Sequence, residues 1–559
     1  MTPVLVTVLV ALLLALKVDL TFVELGGLVA AAVIAAALPR LGEARFRRLR
    51  CACERISRRR RLAILIAALA APALRIALLP VLPVPEPKVT DEYSHLLLGD
   101  TLAHGRLTNP THPMWRHFET IHVLQRPTYN SMYFPGQGAF LALGKLLTGS
   151  PWAGVVLSVA LMSGAICWML QAWVPPGWAL FGAVLAALRL GLISYWMNSY
   201  WGGALAAMGG ALVLGALPRI RRHMRFRDVL LMGAGTAALA VSRPYEGLAL
   251  CVPVAGSLAV WLLRRRAFAR VALPLGAMAV AGFALLGFYF WRVTGDPFRL
   301  PYEVNQRTYG WPMTLAWQTP KAISQPYEDM RRYFQWELGE HVRLLAPGID
   351  THLTAAEAVW IWSFFFGIAL SLPLVLFPRA FTGRRIRLPL IAGACVAVAA
   401  VFEQSRYPHY LAPAASVAAL LWVQGLRHCR TAMPAFARLI PAVVVLAVVW
   451  RGVAGDAAVA YGKARNPVSW CCGGAGDVDR ARIIRKLEAA GGKHLVLVRY
   501  KLSHDWMESW INNAADIDGA RIVWARDLGA SNGPLLDYFR GRTVWLLRAD
   551  EKPLELTPL

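Results

Sequence analysis

Charged side chains are scarce in this chain. They make up 16% of its 559 residues, against 57% hydrophobic ones, whereas a soluble chain carries roughly a quarter charged. Negative charge is the rarer sign: 33 Asp and Glu stand against 59 Lys and Arg, a formal net charge of +26. This poverty of charge excludes a soluble enzyme and a disordered chain. The eight cysteines are too thinly spread for a disulfide scaffold, and no Cys/His set has zinc-site spacing. No GxGxxG or Walker-type loop occurs, so nothing points to nucleotide binding. No internal repeat stands out. The first apolar stretch, residues 4–16, lacks the basic leader and small-residue cleavage site of a signal peptide.

Long apolar runs fill the space instead. Residues 4–16 and 22–38 predict a helical hairpin that stays attached. Eleven more runs follow, at about 62–84, 151–173, 177–194, 203–218, 228–241, 246–263, 271–292, 356–377, 388–402, 411–425 and 437–453. Their lengths approach the roughly 20 residues that a helix needs to cross a bilayer. The expectation is a polytopic α-helical membrane protein with about eleven core spans after the hairpin. Segment 136–149 is apolar but short, and reads as re-entrant or lying along the interface.

The positive charge is gathered in blocks. Residues 40–61 hold ten arginines, and 219–227, 264–270, 379–387 and 427–438 hold five, four, four and three. Placing the first block in the cytoplasm forces the other four there too, so a single threading satisfies the positive-inside rule. The net charge is then a signal of topology and requires no nucleic-acid partner. The other side receives 85–135, the turns 195–202 and 242–246, the loop 293–355, the turn 403–410 and the tail from about 454. Cys167, Cys251 and Cys395 lie in apolar runs and read as small core residues, while Cys51, Cys53 and Cys429 fall among the cytoplasmic blocks as reduced thiols. Cys471 and Cys472 are adjacent on the opposite side, where a disulfide between them would be strained.

The tail alternates in pattern. Helix is expected at Asp477–Ala490, Ser503–Ala514 and Pro534–Arg540, and strand at His494–Tyr500, Arg521–Ala525 and Thr543–Arg548. That alternation predicts a small α/β domain. Three units result: a hairpin and basic segment over 1–61, a membrane domain over 62–453, and an extracytoplasmic α/β domain over 454–559.

Under this threading five polar motifs collect on the non-cytoplasmic face. The first runs from Asp91 and Glu92 to His95; paired carboxylates serve as a general base and as a ligand for a cation or hydroxyl, or else they cap a helix. The second, Tyr129–Gly138, includes Tyr133 and an aromatic-Pro-Gly turn that equally suits an interfacial anchor. In the third, Asn198, Tyr200 and Trp201 stand beside glycines, fit to stack on a sugar or to join an aromatic belt. The fourth carries Arg243 and Glu246, and the fifth Arg406, His409 and Tyr410. An arginine fork fits a lipid phosphate, although snorkelling arginines also occur at helix ends. Arg75 and Arg189 lie inside apolar runs, where a charge needs a partner or a polar cavity.

The layout resembles the GT-C superfamily of polyprenyl-phosphate-sugar-dependent membrane glycosyltransferases, of the protein O-mannosyltransferase and lipid A aminoarabinose transferase type. The resemblance rests on Asp91-Glu92 in the long first outer loop, the turn Tyr133-Phe134-Pro135 and the late pair His409-Tyr410, and it spans about 62–453. It implies an inverting transfer from a polyprenyl-phosphate sugar to an extracytoplasmic glycan, lipid or protein, at the inner (plasma) membrane. It also implies Asp91 as the base, with Glu92 positioning the acceptor or a divalent cation. Relatives carry a lysine near the aromatic-Pro turn, where this chain has Met132. Donor phosphate binding is therefore expected of Arg243 and Arg406, helped by His409, Arg75 and Arg189. Tyr133, Asn198, Tyr200, Trp201, Glu246 and Tyr410 are expected to line the substrate site. A transporter or flippase of lipid-linked sugars is the rival reading, although transporters commonly show repeated halves.

Overall fold

The computed structural model describes residues 19–266, 268–321, 323–345, 351–404, 406–460 and 478–559. The run 4–16 and the Cys471-Cys472 pair lie outside these residues. The described chain is mostly helical, and each of the eleven apolar runs falls on helix. Proline opens several helices, at Pro135, Pro151, Pro176 and Pro244, where its missing N–H would have had no helical partner and its fixed φ already suits the helix. Glycine sets one close crossing. A Cβ on Gly154 would lie 1.8 Å from the carbonyl oxygen of Phe140, so only glycine lets those two backbones touch.

Among the described residues, four helices are long and apolar enough to cross a membrane: Pro151–Trp173, Ala204–His223, Pro244–Arg265 and Phe268–Thr294. A fifth arises if Glu357–Phe365 and Gly367–Leu376, bent by 89°, form one span. Fewer runs than the expected eleven reach full length, for identifiable reasons. Run 62–84 becomes the helix Arg60–Ala77, which carries arginine at both ends. Run 177–194 passes into a π-helix at Ala187–Leu192, and run 356–377 breaks at Gly367, whose φ is 58°.

One ion pair closes that break. Arg189 donates to the carbonyls of Ser363 (2.7 Å), Phe364 (3.2 Å) and Phe365 (2.9 Å) at the end of the first half. Glu24, on the helix Asp19–Ala37, accepts the N–H groups of Ile368 (2.5 Å) and Ala369 (3.1 Å) at the start of the second. The two side chains meet at 3.4 Å. A cut helix exposes backbone groups that an apolar interior cannot satisfy, and this pair satisfies both ends.

The first outer loop contains a small antiparallel sheet, β1 (Asn109–Pro110), β3 (Thr128–Ser131) and β2 (Val123–Leu124) in spatial order. The tail forms a mixed sheet in the order β5 (Ile522–Arg526), β4 (His494–Arg499), β6 (Thr543–Arg548) and β7 (Glu555–Pro558), parallel except for β7. The helix expected at Ser503–Ala514 is absent, and turns and irregular chain take its place. Tertiary partners override local propensity there. His504 bonds Asp550 at 2.7 Å, Tyr500 accepts the N–H of Trp510 at 2.9 Å, and Arg480 donates to the carbonyls of Trp510 and Asn512. Strand β7 was not expected, because a four-residue edge segment next to proline shows no alternation.

Loop and tail share one apolar core, in which Leu97, Phe118 and Tyr129 pack with Leu495 and Leu546. Arg526 forks onto Asp329 at 2.9 and 2.7 Å and donates through Nε to the carbonyl of Glu119 at 2.7 Å. Asp100 accepts the N–H of Ala515 at 2.7 Å. This docking carries Trp506 and Met507 to the edge of the cavity described next.

Candidate active site

All five polar motifs contribute to the wall of one cavity, which encloses about 1330 Å³ of atom-free space including its open mouth. Asp91 enters from the first turn of the helix Thr90–Ala103, and Tyr133 from the turn ahead of Pro135–Thr148. Trp201, Arg243, His409 and Tyr410 complete the contribution of the other three motifs.

Asp91 is about a quarter exposed. Its Oδ1 accepts the Tyr133 hydroxyl, and its Oδ2 lies 3.7 Å from His122 Nδ1. His122 is tied to Thr90 Oγ1 (2.9 Å) and to the Tyr333 hydroxyl (2.8 Å). His95 stacks on Tyr133 with ring centroids 4.4 Å apart. Burial drives both imidazoles towards the neutral form, His95 down to about 3. His409 is likewise held well below its ordinary range by burial and by the charge of Arg243, while its Nδ1 bonds the Tyr195 hydroxyl at 2.9 Å. Two neutral histidines and a tyrosine hydroxyl thus surround the Asp91 carboxylate.

Among the described residues, Arg243 is the one arginine or lysine in the cavity wall. Its guanidinium lies over the Tyr410 ring at 4.3 Å and 3.6 Å from Glu246 Oε1. The latter separation exceeds a hydrogen bond. Arg243 makes no side-chain hydrogen bond to any described residue, so its donors remain open to a ligand.

The other sequence candidates lie away from the cavity wall and bond to backbone or to other side chains. The Glu92 carboxylate lies outside the cavity wall and accepts three backbone N–H groups, from Lys88 (2.8 Å), Val89 (3.2 Å) and Tyr200 (3.0 Å). Burial raises its pKa to about 7 despite these bonds. Tyr200 donates its hydroxyl to the carbonyl of Pro85 at 2.9 Å. Asn198 accepts from Arg75 at 2.7 Å, and Arg75 also donates to the carbonyls of Leu82 and Pro83, both at 2.7 Å. Arg189 closes the helix break described above. Arg406 pairs with Glu357 at 3.0 Å, and Glu246 reaches the site only through Arg243. Arg75, Arg189, Arg406, Asn198, Tyr200 and Glu246 all lie outside the cavity wall. Among the described residues, no group of three or more His, Cys, Asp or Glu side chains is placed to hold a metal ion.

Sequence reasoning missed His122, Tyr302, Tyr333, Trp336, Glu337 and Trp506, which also line the cavity. Four of them lie on the helices Pro301–Tyr309 and Glu328–Leu345 within the outer segment 293–355, and His122 and Trp506 on irregular chain. Glu337 had a faint signal, as an acidic residue on a helix (Glu328–Leu345) that alternates charged and aromatic residues.

No family model and no curated protein matches the chain. Its fold is similar, over most of its length, to several solved structures. One is ArnT from Cupriavidus metallidurans in the apo state, at 13% identity and TM-score 0.46, covering 87% of this chain and 93% of that one. The same protein bound to undecaprenyl phosphate gives 14% and 0.46, covering 86% and 93%. The archaeal oligosaccharyltransferase AglB from Archaeoglobus fulgidus, in complex with an inhibitory peptide and a dolichol-phosphate, gives 12% and 0.39, covering 78% and 62%.

Proposed function

We propose that this chain is a multi-pass membrane glycosyltransferase that moves a sugar from a polyprenyl-phosphate donor to an extracytoplasmic acceptor, with inversion at the anomeric carbon. One observation carries the reading: Asp91 and an arginine with unused donors, Arg243, line the same cavity beside the apolar helices. A lipid-linked donor fits that placement. An apolar chain lies among helices while its phosphate meets an arginine fork. The arginine blocks support an outward-facing site at the plasma membrane, and the arrangement proposed is a membrane domain over 62–453 followed by a tail domain from 454.

The Asp91 carboxylate takes the proton of the acceptor hydroxyl. The freed oxygen lone pair attacks the anomeric carbon, and the bond from that carbon to the phosphate oxygen breaks. Polyprenyl phosphate leaves with the bonding pair. Arg243 neutralises the charge that grows on the phosphate, an electrostatic contribution made larger by a water-poor site. The Tyr133 hydroxyl holds Asp91 in orientation, and neutral His122 lies beside it. Glu92 fixes the helix start that carries Asp91 and the backbone of Tyr200, next to Trp201. Arg406, with Glu357, and the pairs of Arg75 and Arg189 hold the surrounding helices.

Purified protein supplied with a radiolabelled polyprenyl-phosphate sugar tests the reading. Release of free polyprenyl phosphate in step with labelled product supports it. Passage of intact lipid across a vesicle bilayer without release would establish the flippase reading instead.

A further inference from the structure

The transfer step leaves one wall of the cavity without a role. It is formed where the tail meets the helix Glu328–Leu345. Trp506, from the irregular segment of the tail, lies 4.9 Å from Trp336 and 5.0 Å from Tyr333, centroid to centroid. Both tryptophans are half-buried and line the cavity. Beside them are two buried oxygens with no protein partner among the described residues: Oε2 of Glu337 and Oε1 of Gln404. Buried polar atoms of this kind ordinarily have a partner. The other groups of these two side chains are engaged: Glu337 Oε1 accepts the N–H of Met313 at 3.3 Å, and Gln404 Nε2 donates to the carbonyl of Glu337 at 2.8 Å. Burial raises the Glu337 pKa to about 8. At neutral pH the acid form therefore prevails, which both donates and accepts.

An aromatic face next to polar atoms of mixed donor and acceptor character matches a pyranose ring. Such a ring presents an apolar C–H face for stacking and hydroxyl groups at its rim. An extended peptide would instead seek an open strand edge or a row of backbone partners, and this wall offers side chains.

Part of the wall adjoins the base. Tyr333 bonds His122, and His122 lies against Asp91, whereas Arg243 packs over Tyr410. We propose that Trp506 and Trp336 form the stacking platform, and Glu337 and Gln404 the hydroxyl-binding groups, of an acceptor subsite for a pyranose-bearing glycan. The inference rests on the transfer reading above and assigns the tail domain a part in choosing the acceptor.

The full chain in lipid nanodiscs, titrated with methyl glucopyranoside, galactopyranoside and mannopyranoside by ligand-observed NMR, tests it. At least one pyranoside should bind. Trp506→Ala and Glu337→Ala should each weaken it by about tenfold or more, the loss of one stacking face or one hydrogen-bonding group. Trp506→Phe, which keeps an aromatic face, should restore most of the affinity and shows that the fold survives at this position. Binding of none of the three to the native chain, affinity for a short peptide in their place, or unchanged affinity in Trp506→Ala overturns the subsite. Pyranoside binding that depends on Trp506, with no polyprenyl phosphate released from a labelled donor, overturns the transfer reading instead.

Discussion

At the head of the helix Thr90–Ala103, two carboxylates one residue apart face different surroundings. Neighbours on a helix point about 100° apart, so Asp91 opens to the cavity while Glu92 turns into backbone N–H groups. Under the proposed transfer, the capping and catalytic readings of the Asp-Glu pair, which compete on sequence grounds, divide between its two members. Glu92→Gln should lower the thermal midpoint, because one amide oxygen cannot serve N–H groups that meet both carboxylate oxygens. Leaving a buried donor unpaired costs about 1–3 kcal/mol. Turnover per folded molecule should stay close to that of the native chain, measured by activity against folded fraction. A large loss of turnover in fully folded protein would return Glu92 to the chemistry.

Glu337 supplies a pH dependence at the same scale. Its pKa rises from 4.5 to about 8 on burial, so the folded chain holds a proton that the unfolded chain releases. Stability from this group is complete below about pH 4.5 and is lost as pH rises towards about 8. Across that window the thermal midpoint of the native chain should fall as pH rises, while that of Glu337→Gln, which has no proton to lose there, should change less, so the two curves separate towards the alkaline end. Parallel curves would contradict the burial of the acid form.

Among elements, the runs of apolar residues were legible because a helix in an apolar medium satisfies its own backbone. Where helices stop or bend was not legible. The break at Gly367 depends on Glu24 and Arg189, which are far away in sequence. Arg189 attracts notice in sequence as a charge within an apolar run, yet its partner lies on another helix. Ser503–Ala514 shows the same limit from the other side, since a helical pattern yields to bonds from Arg480, Tyr500 and Asp550. Arg189→Leu leaves Glu24 without its ion-pair partner and three carbonyls unsatisfied. Removing one partner of a buried pair costs about 3–5 kcal/mol, so the variant should melt well below the native chain in detergent. An unchanged midpoint would mean that the break is held by packing alone.

Over the whole molecule, the five motifs dispersed through the sequence meet at one cavity because helix after helix returns a polar turn to the same end of the bundle. Positive blocks and polar turns alternate along the chain, and that alternation was readable as arithmetic. The joint between loop and tail was not, since Arg526, Asp329 and Glu119 come from three separate segments. The arginine pattern predicts that exposed Asp537, in the tail, and exposed Arg222 lie on opposite sides of the membrane. In a single-cysteine background, Asp537→Cys should react with an impermeant maleimide in intact cells, and Arg222→Cys should react only after lysis. The reverse pattern would invert the threading.

The separation of duties between base and phosphate ligand is the centre of this account, and paired measurement of donor affinity and single-turnover rate in Asp91→Asn and Arg243→Ala tests it most directly. Asp91→Asn should keep donor affinity and lose about 10²–10⁴-fold in rate, the usual worth of general-base catalysis. Arg243→Ala should weaken donor binding about ten- to a hundredfold, the worth of a charged hydrogen bond to phosphate. Native rate in Asp91→Asn together with native affinity in Arg243→Ala would contradict the assignment of this cavity as the site of transfer.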